Sequence, residues 1–321
     1  MLTLWERCIG SAIAKGWLAS KGRIAQHPIF AAFPPQPAPR DGVDTDYLGV
    51  RTQNVMLPPH WISPPLGDLP VAPPFDEEYF EWIDVLEAVQ AARESFTMVE
   101  VGAGYARWGA RASVAAHRRG LSVRLGVIEA EPQHLVWARE HLAAAGVAAH
   151  EIEWFEAAVG AEPGETVFLV EMPEGRPGNT PREWYGQAVT WAAMREAKDA
   201  GRSYCGRPLM EMPDGWLGVK VPVQTLSPML ERFKVIDLVD FDVQGAESEV
   251  IAESVKALSA RARRLHIGTH SRQIDAALPR ILAPAGWQCL RSYPCLRWNN
   301  TPYGWIQFND GVQTWVNPRL E

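Results

Sequence analysis

The stretch from Thr97 to Trp108, TMVEVGAGYARW, restricts the fold more than any other part of the chain. Met98, Val99 and Val101 read as a short buried strand, with Glu100 near its end. Gly102 and Gly104 then permit a turn that a Cβ would crowd. From Ala106 to His117 the chain is rich in Ala and Arg and free of Pro, so a helix can open there. Strand, Gly-rich turn and helix N-terminus is the order in which doubly wound α/β folds bring backbone N–H groups against a nucleotide-like ligand. A tight structural turn without a ligand is the plainer explanation of two glycines taken alone.

A second acid strengthens the ligand reading. Val123 to Ile128 is an apolar strand candidate that ends in Glu129-Ala-Glu-Pro132. An acid at the end of the second strand of a βαβ unit can accept hydrogen bonds from both ribose hydroxyls. Glu129 lies roughly 25 residues beyond the glycines, as such a unit requires. Glu131 and Pro132 suit the first turn of the following helix. A dinucleotide fingerprint would need a small residue where Arg107 stands, which weakens a NAD(P)-dependent oxidoreductase.

Net charge is −7 with no long basic run, so nucleic acid is not expected as a partner. The four cysteines show neither CxxC pairing nor zinc spacing and read as thiols in a reducing compartment. No stretch approaches the length of a membrane span, and the N-terminus lacks a signal-peptide pattern, so a cytoplasmic protein is expected. The 14 tryptophans suit either the core or the faces of sugar rings.

Along the chain, residues 1–95 read as a helical and Pro-rich extension, and residues 96–321 as the main domain. A loose helical pattern from Leu2 to about Phe33 would pack on that domain or on a second subunit, making a homo-oligomer. Val50 to Leu57 looks like a strand and Pro58 to Pro74 like a connector. A helix over about Glu77–Arg93 is signalled by Asp76 as a cap and an apolar stripe from Phe80 onward. Ile152 to Phe155 is a third strand, and Glu156 or the backbone around Ala157 could read an adenine amino group. Thr166 to Glu171 is a further strand. Met172 to Leu217, polar and aromatic, reads as a lid-like insertion that would govern substrate choice.

A second chemical site follows. Val235 to Phe241 would be the fourth parallel strand, ending in Asp242-Val-Gln-Gly245-Ala-Glu247 beside the end of the first. Asp242 there can act as a base or hold a substrate hydroxyl, although capping of the next helix explains it equally. The fifth strand, Arg264 to His270, brings His270 to the mouth, where an imidazole suits a general base. His266 reads as a satisfied core histidine. Asp242 and His270 as ligands of a divalent metal is a weaker reading, since two residues do not define a coordination sphere, and no metal is assigned. Trp287–Tyr293 and Tyr303–Phe308 would complete a seven-stranded, mostly parallel, doubly wound Rossmann-like sheet with helices on both faces.

Taken together, Glu100-x-Gly102-x-Gly104, Glu129-Ala-Glu-Pro132, Ala158-Val-Gly160, Asp242-Val-Gln-Gly245-Ala-Glu247 and the strand ending in His270 resemble the FkbM family of class I S-adenosylmethionine (SAM) methyltransferases. The D-x-x-G-A-E element is the most specific, and the resemblance covers roughly Phe96 to Trp287. It implies O-methylation of a sugar, glycan or similar small-molecule hydroxyl. Glu100 and the glycines would face the methionine end of SAM, Glu129 its ribose, and Asp242 and His270 the acceptor. The family often has Glu where this chain has Gly268-Thr-His270, which leaves the identity of the base open. A non-catalytic glycan-binding or scaffold protein on a degenerate methyltransferase fold is the remaining alternative.

Overall fold

The computed structural model describes residues 25–36, 43–57, 72–171, 189–190 and 197–320. Most of the connector expected at 58–74, half of the insertion expected at 172–217 and the N-terminal helix up to residue 24 lie outside these residues. In chain order the elements begin with a single turn α1 (Ile29–Ala32), strands β1 (Asp44–Thr45) and β2 (Arg51–Thr52), and helix α2 (Glu78–Ala91). A βαβαβ unit follows: β3 (Ser95–Val101), α3 (Arg107–Arg118), β4 (Ser122–Ile128), α4 (Pro132–Ala144) and β5 (Ile152–Phe155). Next come β6 (Ala158–Val159), β7 (Gly164–Glu171), β8 (Val189–Thr190), β9 (Lys198–Tyr204), β10 (Arg207–Glu211), β11 (Leu217–Gln224) and α5 (Leu226–Leu230). The chain closes with β12 (Leu238–Phe241), α6 (Glu247–Arg261), β13 (Arg264–Thr269), α7 (Arg272–Leu282), β14 (Gln288–Tyr293), β15 (Arg297–Thr301), β16 (Gly304–Phe308) and β17 (Gly311–Val316).

The central sheet has seven strands in the order β14-β17-β13-β12-β3-β4-β5. The five from β13 to β5 run parallel, and β17 is antiparallel to both its neighbours. Alternate residues feed two cores. Met98, Leu125, Val127 and Leu238 pack with residues of α2, α3 and α4 such as Ile83, Leu86, Ala112 and Leu142. Val99, Val101, Val239 and Ile267 pack with Leu230, Ile251 and Leu278 of α5, α6 and α7. Helices therefore cover both faces, as in a doubly wound α/β fold. Each fully buried Leu, Ile or Val adds about 1.5–3 kcal/mol of apolar transfer.

α2 begins as its sequence indicates. Asp76 accepts the Tyr79 N–H at 3.1 Å, and Phe80, Ile83, Leu86 and Val89 are all buried. Glu131 likewise caps α4 by accepting the His134 N–H, with Pro132 as the first helical residue.

Two sequence expectations need correction. Tyr303–Phe308 is not an edge strand of the central sheet. β16 pairs with β15 in a separate hairpin, and Gly311–Val316 fills the place between β13 and β14. β16 alternates buried and exposed, as a two-stranded ribbon with one wet face does, whereas all six residues of β17 are buried. The polar pair Gln313 and Thr314 hides β17 in the sequence, yet both are bonded inside. Gln313 donates to the Asp275 carbonyl and accepts from Trp315, and Thr314 donates to Asp84. Second, the further strand expected at Thr166–Glu171 does not join the central sheet but pairs with β11 in another, ordered β8-β7-β11-β10-β9, in which β6 also pairs with β11. Its β9–β10 hairpin, residues 198–211, occupies part of the stretch read as a lid.

β12 lies beside β3, with Asp240 opposite Glu100 and Phe241 opposite Val101. Their ends meet at Gly102, whose φ of +83° and close approach leave no room for a side chain. A Cβ there would stand 1.8 Å from the Asp242 carbonyl oxygen. Gly120 also has a positive φ, +72°, but open space around it. Gly102→Ala is therefore expected to cost more than about 3 kcal/mol, and Gly120→Ala only about 1 kcal/mol, the backbone strain alone. Urea unfolding of both variants, compared by midpoint at unchanged slope, measures the difference.

Candidate active site

A cavity of about 790 Å3 opens at the carboxyl ends of β3, β4, β12 and β13. That is large enough for a nucleoside-sized cofactor and a small acceptor together. Of the residues singled out in the sequence, Glu100, Gly102, Gly104, Glu129, Ala157, Asp242 and His270 all line it.

The glycine turn is held from the β4 side. The N–H groups of Gly102 and Ala103 both donate to the Ile128 carbonyl at 3.0 Å. Glu129 accepts the Gly104 N–H on Oε2 at 2.6 Å, and the Ala130 and Glu131 N–H groups on Oε1 at 2.8 and 2.7 Å. Burial pushes its carboxyl up to about 7, against the pull of these donors. Oε2 carries one of the three hydrogen bonds and has a second lone pair for a ligand hydroxyl.

Glu100 lines the cavity and also anchors a helix. Its oxygens accept the Trp108 and Gly109 N–H groups at 3.1 and 2.9 Å, at the start of α3. The residue before that helix, Ala106, sits at φ +57° and offers no side-chain cap, so the carboxylate arrives from the neighbouring strand. Gly109 must be glycine for this, because its Cβ would come within 2.8 Å of Glu100 Oε2. Each Glu100 oxygen accepts one backbone hydrogen bond and keeps a second lone pair, so anchoring the helix does not use up the accepting capacity that a place at the methionine end would need. Arg107, where a dinucleotide fold would have a small residue, pairs with Glu78 of α2 at 2.6 Å and ties α2 to the turn.

Glu156 does not line the cavity. Its half-exposed carboxylate pairs with Arg139 at 2.6 Å, on the outer side of α4. Ala157 is buried and lines the cavity.

Asp242 and His270 do come together, but the histidine is not a free base. His270 Nε2 lies 3.3 Å from Asp242 Oδ1 and 3.8 Å from Asp310 Oδ1, while Nδ1 lies 2.7 Å from Glu247 Oε1. Burial disfavours the imidazolium, but the hydrogen bonds and charges of Asp242 and Glu247 outweigh it and raise His270 to about 10. The general-base expectation is corrected accordingly: three carboxylates keep this ring charged at neutral pH. The charge favours the folded state fully below the unfolded pKa near 6.5 and ceases to do so as pH rises through about 10. An NMR titration should find the His270 ring still protonated at pH 8. His270→Gln, which strands buried Glu247 without its cation, should cost about 3 kcal/mol in denaturant unfolding.

Two further carboxyls in the wall, Glu81 and Asp240, were not singled out in the sequence, and His266, read there as a core histidine, stands beside them. Asp240 and His266 lie opposite each other on β12 and β13, on the face that α2 covers, and Glu81 of α2 lines the cavity with them. Burial and the charge of Asp240 push Glu81 well above the usual carboxyl range. Burial lifts Asp240 to about 6, with His266 and a hydrogen bond to Glu81 pulling the other way. His266 is buried, and its Nδ1 meets Asp84 Oδ2 at 2.8 Å, as a core histidine would. Period-two counting from Asp242 and His270 reaches Asp240 and His266. No local pattern connects them to Glu81, some 160 residues earlier.

No family model matches the chain. One relative, from Jannaschia sp. (strain CCS1), carries the name "Putative methyltransferase"; it is 27% identical over 281 residues, 87% of this chain and 94% of that protein. Among solved structures, methyltransferase FkbM from Methylobacillus flagellatus is 13% identical, covering 76% of this chain and 56% of that one, with a TM-score of 0.40. A precorrin-6y C5,15-methyltransferase from Geobacter metallireducens is 12% identical over 73% and 85% of the two chains, with a TM-score of 0.39. At these scores the likeness adds nothing to the sheet order described above.

Proposed function

We propose that the protein is a SAM-dependent methyltransferase that methylates a hydroxyl oxygen of a sugar, glycan or related small natural product. The observation that carries this reading is Glu129. It is a buried carboxylate at the end of β4, clasped to the Gly104 N–H, in a cavity at the switch point of a doubly wound sheet. The name of the Jannaschia relative, matched along nearly its whole length, agrees with it. So does the resemblance of the D-x-x-G-A-E element, Asp242 to Glu247, to the FkbM family.

In this reading Glu129 holds the ribose and the backbone at Ala157 borders the adenine. Glu100 keeps the start of α3 in place so that the turn after β3 receives the methionine end. The transfer is an in-line displacement. Bound SAM would supply an electrophilic methyl group, and as the acceptor oxygen displaced the sulfide the hydroxyl proton would pass to the Asp242 carboxylate. Positioning supplies most of the rate. Asp242 accepts the hydrogen bond of the acceptor hydroxyl, and the His270 imidazolium holds Asp242 in place. A nicotinamide oxidoreductase has less support, because Arg107 and Glu78 fill the edge of the turn that a third glycine would leave open.

The test is calorimetric titration with S-adenosylhomocysteine, followed by transfer of a labelled methyl group to a panel of sugars. Micromolar binding weakened by about 1–3 kcal/mol in Glu129→Ala supports the reading. Binding of a nicotinamide dinucleotide, with none of S-adenosylhomocysteine, sinks it. A pH dependence accompanies the binding. Ribose hydroxyls bind the ionised carboxylate, so affinity should rise as pH passes upward through about 7, with proton release seen as a buffer-dependent heat.

A further inference from the structure

We infer that Glu81, Asp240 and His266 form a site for one divalent cation of the manganese, iron or zinc type in the wall of this cavity. Each offers one ligand atom, and the three atoms lie within 4.8 Å of one another. Ligands around one such ion stand about 3–4 Å apart, so small side-chain rotations close the set. The three residues come from α2, β12 and β13, and the last two are fixed opposite each other by the sheet register. The backbone positions of these two are therefore set before any ion arrives.

Two observations separate this cluster from an ordinary acidic patch. Asp240 is 3% exposed, lines the cavity, and its Oδ1 has no hydrogen-bond partner. A buried oxygen left in that condition is unfavourable unless a ligand or a water in the cavity meets it. His266 has the second feature of a metal-binding histidine. Its Nδ1 is engaged by Asp84 at 2.8 Å, and Asp84 is itself held by Arg264, Arg291 and Thr314. A carboxylate so anchored fixes the ring orientation and places the proton on Nδ1. Nε2 then presents its lone pair toward Glu81, whose Oε2 is 4.0 Å away, too far for a hydrogen bond.

The donor set selects the ion. Two carboxylates favour hard cations, and an imidazole favours borderline ones, so Mn2+, Fe2+ and Zn2+ suit the mixture better than Mg2+, which prefers oxygen and retains its water. The existence of the site is independent of the proposed chemistry. Its use rests on the methyl-transfer reading: a cation here would hold an acceptor oxygen against the cavity wall.

The experiment strips the full chain with chelator and titrates it with Mn2+ alone, following free Mn2+ by EPR. One tight site per chain is expected, with pulsed EPR detecting a coordinated imidazole nitrogen. Glu81→Gln changes a partly exposed side chain and should weaken Mn2+ about tenfold or more, with thermal unfolding confirming that the variant is folded. Absence of stoichiometric Mn2+, absence of the nitrogen coupling, or an unchanged affinity in folded Glu81→Gln overturns the assignment. S-adenosylhomocysteine is titrated in parallel into the stripped protein. If it binds while Mn2+ does not, only the cation site fails; the reverse outcome removes only the methyl-transfer reading.

Discussion

The contact between Gly102 and the Asp242 carbonyl is the constraint on which the rest depends. Two parallel strands, β3 and β12, end side by side, and the chain turns away from both at one point. The Asp242 N–H donates to the Val101 carbonyl at 2.9 Å, which closes the gap further. Only a residue without a Cβ lets the two turns touch. Because they touch, the turn after β3 and the loop after β12 share one cavity. Reactants held by the two would be neighbours by construction, which is the largest contribution a protein can make to a displacement that needs no covalent intermediate.

The cavity wall is acidic, and the fold balances that acidity unevenly. Asp84 and Glu87 of α2 meet Arg264 of β13 and Arg291 of β14, with Arg264 3.0 and 2.6 Å from the two carboxylates. These pairs fasten α2 across the antiparallel side of the sheet. Closer to the mouth, His270 is the cation among Asp242, Glu247 and Asp310. Between these two groups, Glu81, Glu100 and Asp240 are carboxyls that burial holds above their ordinary range. Such displaced groups concentrate where a protein handles ligands.

Much of this was legible in the sequence because it is local. The β3–turn–α3 unit, the Glu129 strand end, the Asp76 cap and the helix over 78–91 each follow from residues within a few positions of one another. The pairing of β12 with β3 followed from βαβ order alone. What was not legible depends on distant partners. β17 carries Gln313 and Thr314 in its middle, and only Asp275, Trp315 and Asp84 make them acceptable inside. His270 reads as a base until Glu247, 23 residues before it, is seen on its other nitrogen. Glu156 sits where an adenine reader should be, but Arg139 draws it outward. Local pattern tells where a side chain starts; its charge state and direction are decided by neighbours that the order of residues does not reveal.

The second sheet has a topological property of its own. The chain leaves the central sheet after β5, passes through β6, and comes back along β11, with Ala158 opposite Val223 and Val159 opposite Gln224. The Gly160 N–H even donates to the Gln224 carbonyl at 3.1 Å. The excursion that carries β7 to β10 thus begins and ends at one place, where β6 meets the end of β11. An excursion closed at its base in this way can change length at its far end without shifting the seven central strands, which pair only with one another.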